Sequence, residues 1–138
     1  MKDGARFFAY STWAVMISLG IIIFTHPFFQ FMSESNTTLY LILLGFGFLY
    51  FNLTFIVVKR YIKKVPVPTN IHILLSFLVF IPPTGWIVMM NRPFTQIELL
   101  LFLILILSSV SGTIIGNKAG IKARYEYIQK LKKHQKKR

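Results

Sequence analysis

The stretch Lys59-Arg60-Tyr61-Ile62-Lys63-Lys64, followed at once by Val65-Pro66-Val67-Pro68-Thr69-Asn70, divides the chain into two very hydrophobic halves. Four cations without an anion between long apolar runs mark a connection held on the cytoplasmic side of a bilayer, because Lys and Arg near span ends set orientation. Working outward from it, Phe7 to Phe31, Thr37 to Val58, Ile71 to Asn91 and Leu99 to Asn117 contain no Lys, Arg, Asp or Glu. Each reaches the roughly 20 residues that cross about 30 Å of hydrocarbon as a helix. None carries the polar stripe of a soluble bundle helix.

The fold class expected is therefore an all-α integral membrane protein. Four transmembrane helices form a compact bundle, with spans at about 7–28, 38–58, 71–90 and 98–116. Residues 1–116 make one membrane domain and residues 117–138 a basic tail. Of the 138 residues, 54% are hydrophobic and only 14% charged, against about 25% charged in an ordinary soluble domain. The first apolar run is too long for a signal core and lacks a small-x-small cleavage pattern, so it is expected to stay. There is no cysteine, which excludes disulfides, thiolate chemistry and lipidation on sulfur.

The formal charge of +12 resolves once it is placed on this topology. Lys2 and Arg6, the four cations of the central stretch, and nine in the tail from Lys118 to Arg138 make fifteen on one side, against Arg92 alone on the other. Both termini are expected in the cytoplasm, in a multi-pass protein of the cell membrane. Tyr10 and Trp13 suit the headgroup level, as does His72. In the tail, Ile121, Tyr125, Ile128 and Leu131 share a helical face among cations, the pattern of an interfacial helix lying along anionic lipid. Lys59, Arg60, Lys63, Lys64, Lys122, Arg124, Lys130, Lys132 and Lys133 are the expected contacts to that lipid. Nucleic acid is not expected as a partner, since no nucleic-acid module's aromatic and glycine pattern accompanies the charge.

Three features inside the spans stand out. Asn52 places an amide at membrane depth, where it must find a partner, so it should face protein. The run Leu44-Gly45-Phe46-Gly47 through Asn52 to Lys59-Arg60 resembles the second helix of the small I protein of bacterial ATP-synthase operons, an assembly factor. The resemblance runs from Leu44 to Arg60 and no further. Pro82, Pro83 and Gly85 interrupt the third run, and two missing backbone donors in succession are expected to bend or break that helix. In the fourth, Ser108, Gly112 and Gly116 recur every four residues beside Ser109 and Thr113, a small-residue strip that admits a second helix. Because helices two and four run the same way, Asn52 is expected to bond Ser108, Ser109 or Thr113.

The remaining polar features have local explanations. Pro27 should end or kink the first helix at His26. Ser35 or Asn36, and Thr69 or Asn70, are placed to cap helices two and three. Thr95 with Glu98 forms a capping box for helix four. His26, Arg92 and Glu98 would lie on one outer face.

No Ser, His and acid set, carboxylate pair, phosphate loop or metal-ligand pattern is present, so neither an enzyme nor a cofactor is expected. A coupled transporter needs a charge buried in its spans, and these have none. The function expected is that of an accessory, stabilising or assembly subunit of a larger membrane complex, with another membrane protein or further copies of itself as partner. The alternative is an uncoupled small transporter, lipid flippase or oligomeric pore, including a holin-like one.

Overall fold

A computed structural model describes residues 2–30, 36–65, 71–89 and 96–135, and the described residues are helical throughout except Val65. Four helices follow in order: α1 Lys2–Gln30, α2 Asn36–Lys64, α3 Ile71–Met89 and α4 Gln96–Gln135. Each is long and apolar enough to cross a membrane. The expected caps at Ser35, Thr69 and Asn70, the Arg92 turn and the Thr95 member of the capping box lie outside the described residues, as do the side chains of Asn36 and Glu98.

The contacts between helices fix how they run. Arg6 meets Lys64, and Ser18 meets Tyr50 further along, so α1 and α2 are antiparallel. Ser18 and His26 meet Val79 and Trp86 in the same order, so α1 and α3 are parallel. Gly47, Gly112, Gly116 and Gly120 pair α2 with α4 in rising register, which makes those two parallel. The start of α1, the end of α2 and the second half of α4 therefore share one basic end.

The α2 and α4 helices share by far the longest contact, whereas α1 and α4 do not meet among the described residues. A core of Leu43, Phe46, Tyr50, Leu75, Val79 and Leu105 is almost fully buried between the helices. Phe46 stacks obliquely on Tyr50 at 4.8 Å between ring centroids, and Phe80 meets Phe102 edge-on at 5.4 Å. Such aromatic pairs contribute about 0.5–1.5 kcal/mol beyond the area they bury.

Of the bend or break expected at Pro82 and Pro83, the break does not occur: α3 remains helical from Ile71 to Met89 with both prolines inside it. Pro83 cannot donate to the carbonyl of Val79, four residues earlier. That carbonyl instead accepts a hydrogen bond from Ser18 Oγ on α1, at 3.0 Å. With its hydrogen spent there, Ser18 Oγ accepts from the Tyr50 hydroxyl at 3.0 Å, which also reaches the Ser18 carbonyl at 3.2 Å. Three helices are thus tied at one buried point. Gly85 is exposed and has open space around it.

The tail is not a separate element. The α4 helix continues without a break through Asn117 to Gln135, and 40 residues at 1.5 Å each span about 60 Å, twice the thickness of a bilayer's hydrocarbon. The reason lies at Gly120. A side-chain carbon there would sit 2.9 Å from Ile62 Cβ and 3.0 Å from the Lys59 carbonyl oxygen, so α4 still rides against α2 where the charges begin.

Candidate functional site

Two places carry chemistry beyond packing: the basic end of the bundle and a groove between α3 and α4. At the basic end, the last carbonyls of α2 have no helical donors of their own. Arg6 Nη1 from α1 donates to the Lys64 carbonyl at 3.1 Å, and Arg124 Nη1 from α4 donates to that of Val65 at 2.8 Å. Cations are favoured at a helix C-terminus, where the backbone dipole is negative. The two arginines cap α2 from both flanks.

Aromatic rings hold the four cations near the end of α2. Arg60 lies over Trp13 at 5.7 Å, Lys64 over Tyr10 at 5.9 Å, Lys63 over Tyr127 at 5.9 Å and Lys59 over Phe55 at 5.3 Å. These distances are within the reach of cation–π attraction. Tyr61, which is buried, makes T-shaped contacts with Phe7 and Tyr10. Between α1, α2 and α4 lies an open cleft of about 800 Å³ lined by Arg6, Ala9, Tyr10, Trp13, Arg60, Lys63, Lys64 and Tyr127. Four of those side chains are cationic and none is a carboxylate, so the cleft suits an anion such as a phosphate. Lys122, Lys130, Lys132 and Lys133 lie further along α4, all exposed.

The small-residue strip on α4 lies against α2. A side-chain carbon on Gly112 would meet the Phe51 carbonyl oxygen at 2.7 Å and press on Thr54 Oγ1, and one on Gly116 would meet the Phe55 carbonyl oxygen at 2.8 Å. Ser108 sits opposite Gly47, whose added carbon would be 3.0 Å from Ser108 Oγ. Gly47 and Gly120 thus extend the strip in both directions. Gly120 continues the four-residue spacing of Gly112 and Gly116, a signal present in the sequence but masked by the tail cations around it.

Asn52 does not make the bond expected of it. Its Nδ2 donates to the Phe48 carbonyl of its own helix at 2.8 Å. The α2 face that meets α4 runs through Gly47, Phe51, Thr54 and Phe55, and Asn52 stands about 100° round the helix from Phe51. Thr54, not Asn52, faces Gly112, with its hydroxyl bonded to the Tyr50 and Phe51 carbonyls.

Thr113 faces α3. Its hydroxyl lies 2.6 Å from Ser76 Oγ and donates to the Ser109 carbonyl at 2.7 Å, joining α3 to α4. Beside this pair runs a groove of about 610 Å³, with Phe77, Phe80, Phe102, Ile106 and Val110 among its walls and His72, Asn117 and Lys118 at one end. Phe77, Val110 and Ile114 are more than half exposed, so the groove opens to the outside of the bundle. Ser109 Oγ lies at its wall, buried and without a hydrogen-bond partner. At the opposite end of the molecule, Trp86 Nε1 donates to His26 Nδ1 at 3.2 Å. That bond gives His26 a structural partner; Arg92 and the Glu98 side chain lie outside the described residues.

Among the described residues no three His, Asp or Glu side chains come together as a metal site. No protein-family model matches the chain, and no curated protein or solved structure matches it either. The resemblance over Leu44 to Arg60 therefore carries no argument beyond those residues.

Proposed function

We propose that the protein is an accessory, stabilising or assembly subunit of a larger membrane complex, seated multi-pass in the cell membrane with both termini in the cytoplasm. The observation that supports this reading is how the polar groups at membrane depth are used. Ser18 and Tyr50 bond each other and the Val79 carbonyl, Ser76 meets Thr113, and Thr54 and Asn52 bond their own helix. With Phe46, Tyr50, Leu75 and Leu105 buried between the helices, the polar groups described at membrane depth are taken up by bonds between or within helices and line no continuous polar path among the described residues.

What remains available lies outside the core. From Tyr125 onward every described residue of α4 is exposed, including Tyr125, Ile128 and Leu131 on one side of the helix. From Asn117 to Gln135 the helix extends for about 27 Å, long enough to reach a partner's cytoplasmic portion. Its cations and the basic cleft beside Arg60 and Lys63 face the side where anionic lipid lies, which strengthens anchoring by about 1 kcal/mol per cation near the surface. The partner is accordingly a membrane protein with an acidic or apolar cytoplasmic face.

The test is purification of the full chain from its own membrane in a mild detergent, with reconstitution of the isolated protein into liposomes. The expected result is co-elution in fixed ratio with a larger membrane complex and liposomes that stay sealed to ions and small solutes. A stable homo-oligomer eluting alone and rendering liposomes permeable would replace this reading with that of a pore.

A further inference from the structure

The geometry points to the groove between α3 and α4 as a binding site for one anionic phospholipid, its acyl chain along the aromatic wall and its phosphate at Lys118. This inference does not depend on which complex the protein joins. On α3 the groove runs from His72 to Phe80, about 12 Å of helix, close to the roughly 15 Å of hydrocarbon in one leaflet. Its surface is almost wholly apolar, because the hydroxyls of Ser76 and Thr113 are bonded to each other. An acyl chain needs nothing more of such a wall.

The two ends of the groove differ, and the difference selects the occupant. Toward the basic end stand the Lys118 ammonium, the Asn117 amide and the His72 imidazole, with Lys122 one turn further along α4. The nearest acid on α4, Glu126, is two turns beyond Lys118. A phosphate diester there would meet one direct cation and a second within a turn. A neutral lipid would gain only the apolar contact. A helix from another protein, about 10 Å across with its side chains, would have no charge to set against Lys118 unless it carried an acid at that depth.

Native mass spectrometry of the full chain released from nanodiscs of mixed phosphatidylglycerol and phosphatidylcholine, matched in acyl chains, tests the site. The wild type should retain one phosphatidylglycerol in preference to phosphatidylcholine. Lys118→Gln, at an exposed position, should lower that retention about fivefold, the equivalent of about 1 kcal/mol for one cation near the surface. Gln129→Ala, an uncharged exposed position on the far end of α4, should leave it unchanged. Val110→Trp, which fills the groove from an exposed wall position, should abolish retention of both lipids while helix content by circular dichroism is kept. Equal retention of the two lipids by the wild type, or retention insensitive to both Lys118→Gln and Val110→Trp, overturns the proposal. So does a groove that retains no lipid because a protein helix fills it.

Discussion

Replacing Gly112 by alanine puts a methyl carbon 2.7 Å from the Phe51 carbonyl oxygen and hard against Thr54 Oγ1. Ordinary contact begins near 3.4 Å, so α2 and α4 must part by about 0.7 Å, and the atom in the way is backbone that cannot rotate aside. A gap of that size forfeits roughly a quarter to a half of the dispersion attraction of each facing atom pair. Overpacking of this kind costs about 1–3 kcal/mol, partly offset by up to about 1 kcal/mol of helix propensity gained on leaving glycine. Gly45→Ala supplies the opposite sign, since a methyl there has nothing within 4 Å. The two variants should therefore differ by about 2 kcal/mol, Gly112→Ala below the wild type and Gly45→Ala at or above it. Titration of dodecyl maltoside micelles with SDS, followed by tryptophan fluorescence, measures both. Gly112→Leu should go further and separate the helices, whereas Asn52→Leu should cost little, because Asn52 bonds only its own helix. Equal midpoints for the two alanine variants would mean that the α2–α4 contact does not run along this strip.

Ser18→Ala leaves the Val79 carbonyl without a donor in a buried site and should destabilise by about 1–3 kcal/mol, while Tyr50→Phe, which keeps the Ser18 to Val79 bond, should cost about 0.6 kcal/mol; thermal melts in detergent that rank them the other way refute the assignment. Single cysteines at Ser35 and Gln96 should react with an impermeant thiol reagent on intact cells, and one at Thr69 should not; labelling at Thr69 without lysis reverses the orientation. Arg124→Gln removes the charge-assisted bond to the Val65 carbonyl, so hydrogen exchange in the last turn of α2 should quicken by about tenfold or more; unchanged exchange would show that Arg124 does not cap α2.

Four long apolar helices were legible because bilayer thickness imposes a length on every span, and uncharged runs of that length are visible in a single sequence. The glycine spacing on α4 was legible for a similar reason, since periodicity belongs to one helix. What faces the strip was not. Whether Asn52 or Thr54 meets Gly112 depends on the rotation of α2 about its own axis, which a sequence of almost uniformly apolar residues does not record. The role of Ser18 was hidden in the same way, since its partner carbonyl belongs to a residue sixty-one positions later and is exposed only by a proline. The aromatic seats of Arg60, Lys63 and Lys64 were concealed by their charge. Near a membrane a cluster of cations is accounted for by orientation alone, and nothing in the stretch itself separates a lysine facing lipid from one lying over a tyrosine.

The bond from Ser18 to the Val79 carbonyl bears on the order in which the chain can be made. Taken alone, α3 would enter lipid with two carbonyls lacking helical donors, that of Leu78 before Pro82 and that of Val79 before Pro83, and the second alone would cost several kcal/mol as an unsatisfied group in hydrocarbon. The hydroxyl that cures this belongs to α1, which is synthesised two helices earlier and is already in the bilayer when α3 emerges. Settling of the third helix is thus conditional on the first, and a chain whose α1 is lost or misplaced would leave α3 poorly held in the membrane and open to removal by quality-control proteases.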